Sequence, residues 1–232
     1  MLWRKPGVAV LLAIGSTSAW ADSKADCERG TSLPEHRITA CSAFIQSNPR
    51  ADWAYLARGS AYRSKGDLDR AIADYTKAFE LNPSAQGYLA RGNAWRAKSE
   101  FDRALADYKK AVELSPKYSD AHLGIGNIYS DKKQYDQAIG AYSKAIELDA
   151  KYPVFYFARG LAQSKKGNFE RAIADFTKAI DLDPTYVHCY ASRAAAYEKK
   201  GDRERAIADF RKAHALGDTL SADDLRRLGV TP

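Results

Sequence analysis

Apolar and small side chains recur three and four residues apart along most of this chain, broken at regular intervals by short polar turns. In YLARGSAYRSKGD followed by LDRAIADYTKAFEL, two such stretches meet at Lys-Gly-Asp, which predicts two amphipathic helices folded back on each other. The second stretch returns as FDRALADYKKAVELSP, YDQAIGAYSKAIELDA, FERAIADFTKAIDLDP and RERAIADFRKAHALGD. Counting back from the ends of these segments places unit starts at Asp52, Ala85, Ser119, Pro153 and Val187, with spacings of 33, 34, 34 and 34 residues. The pattern therefore predicts five helical hairpins, over 52–84, 85–118, 119–152, 153–186 and 187–220. A hairpin cannot bury its apolar face alone, so hairpins at a fixed period stack into a solenoid.

Aligned by unit, the columns show how the helices pack. Position 8 is Gly59, Gly92, Gly126, Gly160 and Ala194, and position 20 is Ala71, Ala104, Ala138, Ala172 and Ala206. Position 24 is Tyr75, Tyr108, Tyr142, Phe176 and Phe210, and position 27 is alanine in all five units. Rings beside missing or minimal side chains are knobs beside holes. This set of positions, with an aromatic near 4 and 11 and proline at 32, resembles the tetratricopeptide repeat family over roughly three quarters of the chain. The departures are local: His122 at position 4, Gln163 at position 11, and Ala150 and Asp218 in place of prolines. The resemblance implies an all-α fold, a right-handed solenoid of antiparallel helix pairs whose first helices line a concave groove.

Two further columns vary together. Position 7 is Arg58, Arg91, Arg159 and Arg193, position 23 is Asp74, Asp107, Asp175 and Asp209, and the third repeat replaces both with Ile125 and Ala141. Joint presence and joint loss predict ion pairs inside each hairpin, since removing one partner would strand a charge. The alternative is a row of arginines that binds a ligand; the ion-pair reading is preferred because arginine and carboxylate satisfy each other.

The two ends do not repeat. Arg4 and Lys5, the apolar run Val8 to Ile14 and Ala19-Trp20-Ala21 have the form of a secretory signal peptide over 1–21, and the run is too short to cross a bilayer. Cleavage after Ala21 would leave 211 residues without a membrane-spanning segment. In an exported chain Cys27 and Cys41 are expected to pair. Residues 22–51 then read as a disulfide-tied cap of half a repeat, because Pro34 to Asn48 resembles a second helix while the stretch before it lacks the first-helix pattern. At the other end, 221–232 reads as a capping helix, opened by Ser221 and Asp224 in the manner of a capping box and striped by Leu225 and Leu228. Cys189 reads as a core residue.

Composition adds the class of molecule. The chain is 45% hydrophobic and 28% charged, and losing Arg4 and Lys5 lowers its formal net charge from +7 to +5. A basic balance favours anionic surfaces, yet the lysines fall in turns such as Lys132-Lys133, Lys165-Lys166 and Lys199-Lys200, which read as a solvated face. Nucleic acid is not expected as a partner of an exported protein. The four histidines are scattered without metal-ligand spacing, and no nucleophile elbow, phosphate loop or CxxC is present, so neither cofactor nor catalysis is expected.

What the resemblance implies about binding rests on groove positions of the first helices. Those positions hold Trp53 and Arg63 in the first repeat, Asn93 and Arg96 in the second, Asn127 in the third and Phe157 in the fourth. The groove is mixed, with apolar residues at its centre. Asn93 and Asn127 share position 9, where an amide could both donate to and accept from an extended peptide backbone, and the arginines suit a carboxylate. The lysines with which related chaperone-binding domains clamp a C-terminal carboxylate are absent, since Leu56, Leu89, Leu123, Phe157 and Ala191 occupy position 5. The expected protein is a noncatalytic interaction scaffold of the bacterial periplasm or cell envelope, holding a peptide or a partner helix, with self-association open. Electrostatic binding of an anionic envelope polymer is the alternative, and solvated groove residues without a ligand are the plainer one.

Overall fold

A computed structural model of the chain describes residues 17–29 and 33–231. The chain divides into two compact units, Met1–Pro83 and Ser84–Pro232. Described residues of the first unit form α1 (Thr17–Glu28), α2 (Pro34–Ser47), α3 (Asp52–Ser64) and α4 (Leu68–Leu81). The second unit contributes α5 (Ala85–Ala97), α6 (Phe101–Leu114), α7 (Ser119–Asp131), α8 (Tyr135–Leu148), α9 (Pro153–Lys165), α10 (Phe169–Leu182), α11 (Val187–Lys199), α12 (Arg203–Ala215) and α13 (Leu220–Arg227). Within each unit every helix packs on its neighbours in sequence, and among the described residues there is no strand.

The hairpins close through the small and aromatic columns. A Cβ added to Gly160 would come within 2.7 Å of the Phe176 ring, so only the absence of a side chain lets α9 and α10 approach this closely. Tyr108 and Phe176 are completely buried, each contributing about 1.5–3 kcal/mol of apolar burial. The first helices end in Schellman turns: Gly66 at φ +79° donates its N–H to the Arg63 carbonyl, and Asp67 donates to that of Tyr62. Gly167 and Gly201 repeat the turn, whereas Ser99 (φ 62°) and Lys133 (φ 58°) adopt the same left-handed backbone with a side chain attached.

Each of the four arginine–aspartate pairs is formed, and each is bidentate. Arg58 donates to both oxygens of Asp74 at 2.8 Å, Arg91 to Asp107 at 2.8 and 2.7 Å, Arg159 to Asp175 at 2.9 and 2.7 Å, and Arg193 to Asp209 at 2.7 and 2.9 Å. The aspartates are buried, and the pKa values of Arg58, Arg159 and Arg193 are raised chiefly by their hydrogen bonds to Asp74, Asp175 and Asp209. The remaining nitrogen reaches into the preceding hairpin: Arg58 Nη1 donates to Ser42 Oγ at 3.0 Å, Arg159 to Ser143 at 3.0 Å and Arg193 to Thr177 at 2.9 Å. The third repeat is consistent with this extension, because Ile125 has no such donor and the matching residue one hairpin back is Lys109, with no hydroxyl.

A second ladder corrects the reading of the turn lysines as merely solvated. Lys65 pairs with Glu35 at 3.0 Å, Lys132 with Asp102 at 2.5 Å and Lys200 with Glu170 at 2.8 Å, and Lys166 contacts Asp136. Every one of these links the turn of one hairpin to the second helix of the hairpin before it.

The ends differ from expectation in two respects. The stretch before Pro34 forms the helix α1, so the cap is a pair of helices; Cys27 and Cys41 tie them by a disulfide of 2.01 Å and are fully buried beside Ala54 and Tyr55. Of the signal-peptide segment 1–21, residues 1–16 lie outside the described residues. At the C-terminus, α13 starts one residue before Ser221, whose hydroxyl donates back to Asp218 at 2.5 Å, while Asp224 pairs with Arg227 at 2.9 Å. The capping box between Ser221 and Asp224 is therefore not formed. Leu225 is buried against Ala194, Ala206 and Phe210, with Leu228 packed beside it. Among the described residues no helix is long and apolar enough to cross a membrane.

Candidate peptide groove

In the second unit the first helices α5, α7 and α9 border an open hollow of about 300 Å³. One wall is apolar, made by Leu123, Val154, Phe157, Ala158 and Leu161, and the other is polar, made by Arg96, Asn127, Ser130 and Asp131. Phe157 is held in place by ring contacts with Phe176 at 5.9 Å and Tyr186 at 5.1 Å, and Leu161 remains 38% exposed at the rim. An apolar wall beside a few oriented polar groups is the usual composition of a ligand site.

The polar wall is set by contacts inside the protein. Tyr142 Oη donates to Asn127 Oδ1 at 2.9 Å, and Tyr108 Oη donates to Asn93 Oδ1 at 2.7 Å. With its oxygen engaged in this way, each amide has its Nδ2 hydrogens left to donate to a carbonyl or carboxylate acceptor. Burial raises the Tyr142 phenol to about 12, against smaller opposing effects of Ser130 and Arg96, so it stays a hydroxyl donor at physiological pH. Arg96 is not free for a ligand carboxylate: it donates to Asp131 at 2.6 and 3.3 Å across the second and third hairpins, and that hydrogen bond is the main cause of its raised pKa.

The structure thus brings Arg96, Asn127 and Phe157 to one hollow and leaves Asn93 exposed outside its lining. Trp53 and Arg63 belong to the first unit. Trp53 stacks on Phe44 at 5.0 Å in a separate hollow of about 480 Å³ with Lys24, Asn48, Pro49, Arg50 and Ala51. Arg63 and Ser60 hydrogen-bond the Tyr75 phenol, opposing the upward shift that burial imposes on it.

Tyr142 and Tyr186 in the lining were not legible as groove residues, since neither is on a groove position of a first helix. The asparagine–tyrosine coupling, however, has a sequence signal. Position 9 is Ser60, Asn93 and Asn127 where position 24 is tyrosine, and Leu161 and Ala195 where position 24 is phenylalanine. A polar residue stands only where a phenol needs an acceptor.

Antiparallel helix pairs and an aromatic knob on a glycine hole in successive hairpins define an α-helical repeat protein. Profiles described as TPR repeat match residues 92–133 and 126–167, and profiles described as tetratricopeptide repeat match 53–84, 153–186 and 187–216. The chain belongs to the tetratricopeptide repeat family. Among solved structures it is similar to MamA, with 29% identity and a TM-score of 0.62 over 70% of this chain and 96% of that one. A MamA fragment from Desulfovibrio magneticus RS-1 matches at 20% identity and a TM-score of 0.63, over 72% and 97% of the two chains. YrrB, described as a TPR protein with an unusual peptide-binding site, matches at 23% identity and a TM-score of 0.61, over 82% and 99%. At those two identities the likeness shows the fold alone. No curated protein matches the sequence.

Proposed function

We propose that this protein is a noncatalytic interaction scaffold, exported to the periplasm or cell envelope, that holds an extended segment of another protein in the groove of its second unit. The hollow between Phe157 and Asn127 carries this reading. An apolar side chain of the ligand would enter between Leu123, Phe157 and Leu161, while its backbone carbonyl accepts from Asn127 Nδ2. A tetratricopeptide relative described as having a peptide-binding site supports the class of ligand. Export is supported by the form of residues 1–21 and by the buried Cys27–Cys41 disulfide, a bond that persists in oxidising compartments. The anionic-polymer alternative loses weight because Lys65, Lys132, Lys166 and Lys200 are already matched with carboxylates.

A photo-crosslinker placed at Leu161 in intact cells tests the groove. The same adduct should form there and not from Arg211 on α12, and Phe157→Ala should abolish it. Equal capture from both positions, or loss of all capture on raising salt to a few tenths molar, would favour the polymer instead. Cell fractionation with N-terminal sequencing tests export: a mature chain beginning at Asp22 is expected, and an intact cytoplasmic chain refutes it.

A further inference from the structure

The fourth repeat contains a second cavity, of about 320 Å³, lined by Ser143, Arg159, Gln163, Arg171, Ala174 and Asp175. It lies among α8, α9 and α10 and shares no lining residue with the groove. The sister repeats show what this cavity is missing. In the first repeat the guanidinium of Arg70 lies 4.6 Å from the centre of the Tyr62 ring, and Arg58 lies 6.0 Å from the same ring. The fifth repeat repeats this, with Arg205 at 4.6 Å and Arg193 at 6.0 Å from Tyr197, and in the second Arg103 lies 4.8 Å from Trp95. Each of these stacked arginines also has a carboxylate three residues before it: Asp67 for Arg70, Glu100 for Arg103 and Asp202 for Arg205.

The fourth repeat keeps both arginines, Arg159 and Arg171, and loses both partners of the second. Gln163 stands where the ring should be and Asn168 where the carboxylate should be, and they satisfy each other, Asn168 Nδ2 donating to Gln163 Oε1 at 2.9 Å. Gln163 is only 6% exposed, so a short amide fills part of a site shaped for a ring. Arg159 is fully occupied by Asp175 and Ser143. Arg171 has neither ring nor ion pair among the described residues. The third repeat lacks the arginine instead, with Gln137 beside Tyr129, so no comparable cationic space arises there.

We infer that this cavity is a socket for a segment of a partner protein carrying an aromatic side chain next to a carboxylate. The partner's ring takes the place between Arg159 and Arg171 that Tyr62 takes between Arg58 and Arg70, and its carboxylate pairs with Arg171. Charge complementarity selects this occupant: the site has one unmatched guanidinium, and a ring face and an anion are the two groups that its sisters use to cover it.

The test is titration of the full chain with acetyl-Asp-Tyr-Glu-amide, followed by amide chemical shifts. Shifts confined to the neighbourhood of Ser143, Gln163 and Arg171 are expected. Arg171→Gln should weaken binding about tenfold, the loss of one charge-assisted contact. Gln163→Tyr should fill the socket from within, abolishing binding while raising the melting temperature. Failure of the peptide to shift these amides overturns the proposal, as does full binding by Gln163→Tyr. Equal binding of acetyl-Asp-Ala-Glu-amide or of inorganic phosphate would make the cavity a plain anion site, and equal binding of acetyl-Lys-Tyr-Lys-amide would remove the role of the carboxylate.

Discussion

At the scale of single residues, the structural role of Asn127 and its proposed binding role can be separated by mutation. Its amide oxygen accepts from Tyr142 and its nitrogen is left for a ligand. Asn127→Ala alone strands a buried hydroxyl and should cost about 1–2 kcal/mol. The double change Asn127→Leu with Tyr142→Phe copies the fourth repeat, where Leu161 faces the Phe176 column, and should restore stability in denaturant melts while leaving groove capture lost. Recovered capture in the double variant would mean that the amide has only a structural role. His122 makes a different prediction. Tyr55 and Tyr190, at the same position of other repeats, donate to the carbonyls of Pro49 and Pro184 at 3.3 and 3.1 Å. His122 instead leaves Nε2 buried without a partner, and desolvation lowers its pKa below 6.5, with Lys144 of α8 adding to the shift and its hydrogen bond to Pro116 opposing it. The folded chain thus favours neutral imidazole. Its contribution is complete above about pH 6.5 and is lost as pH falls through that value toward the lower folded-state pKa. Thermal melts between pH 7.5 and 5 should show this loss, and His122→Tyr should remove that part of the slope.

At the scale of elements, the turns between paired helices are the least uniform part of an otherwise regular array. Gly66, Gly167 and Gly201 adopt the left-handed conformation at no steric cost, while Ser99 and Lys133 carry a Cβ into it. Lys133→Gly should stabilise the chain by about 1 kcal/mol, measured by urea unfolding, with groove capture unchanged. A loss of stability would show that the Lys133 side chain contributes more than its backbone costs. The same regularity explains how much was legible here. The arginine–aspartate pairs could be read in the sequence because one repeat dropped both partners together. The lysine–carboxylate ladder was less legible, because it joins different hairpins and no repeat drops both partners together.

At the scale of the whole molecule, the first unit depends on a covalent tie where later repeats use packing. Cys41 occupies the column that elsewhere holds the buried aromatic knob, and its bond to Cys27 fixes α1 on α2. Closing a loop of this size stabilises by about 3 kcal/mol in the chain-entropy model. Reduction, or Cys27→Ser with Cys41→Ser, should therefore lower protection from hydrogen exchange in α1 to α3 and leave α9 to α12 unchanged. A uniform loss across both units would show that the disulfide acts on the whole array. The net positive charge has a weaker consequence than its size suggests, because so many lysines and arginines are locally matched.

The sequence by itself determined the helices, their pairing, the knob-and-hole columns and the four internal ion pairs. All of these repeat at a fixed period, and a period turns one chain into five aligned observations. Tertiary structure alone decided which polar groove groups are available. Arg96 is taken by Asp131, Asn127 keeps its donors, Trp53 is packed on Phe44, and Arg171 is left beside a cavity. The physical reason is that a side chain's free valence depends on what stands across from it, and aligning the columns of one repeat does not say which columns of the neighbouring hairpin face them. The 34-residue period thus specifies the scaffold, and the break in the fourth repeat, seen in three dimensions, marks the cavity where we propose that a partner docks.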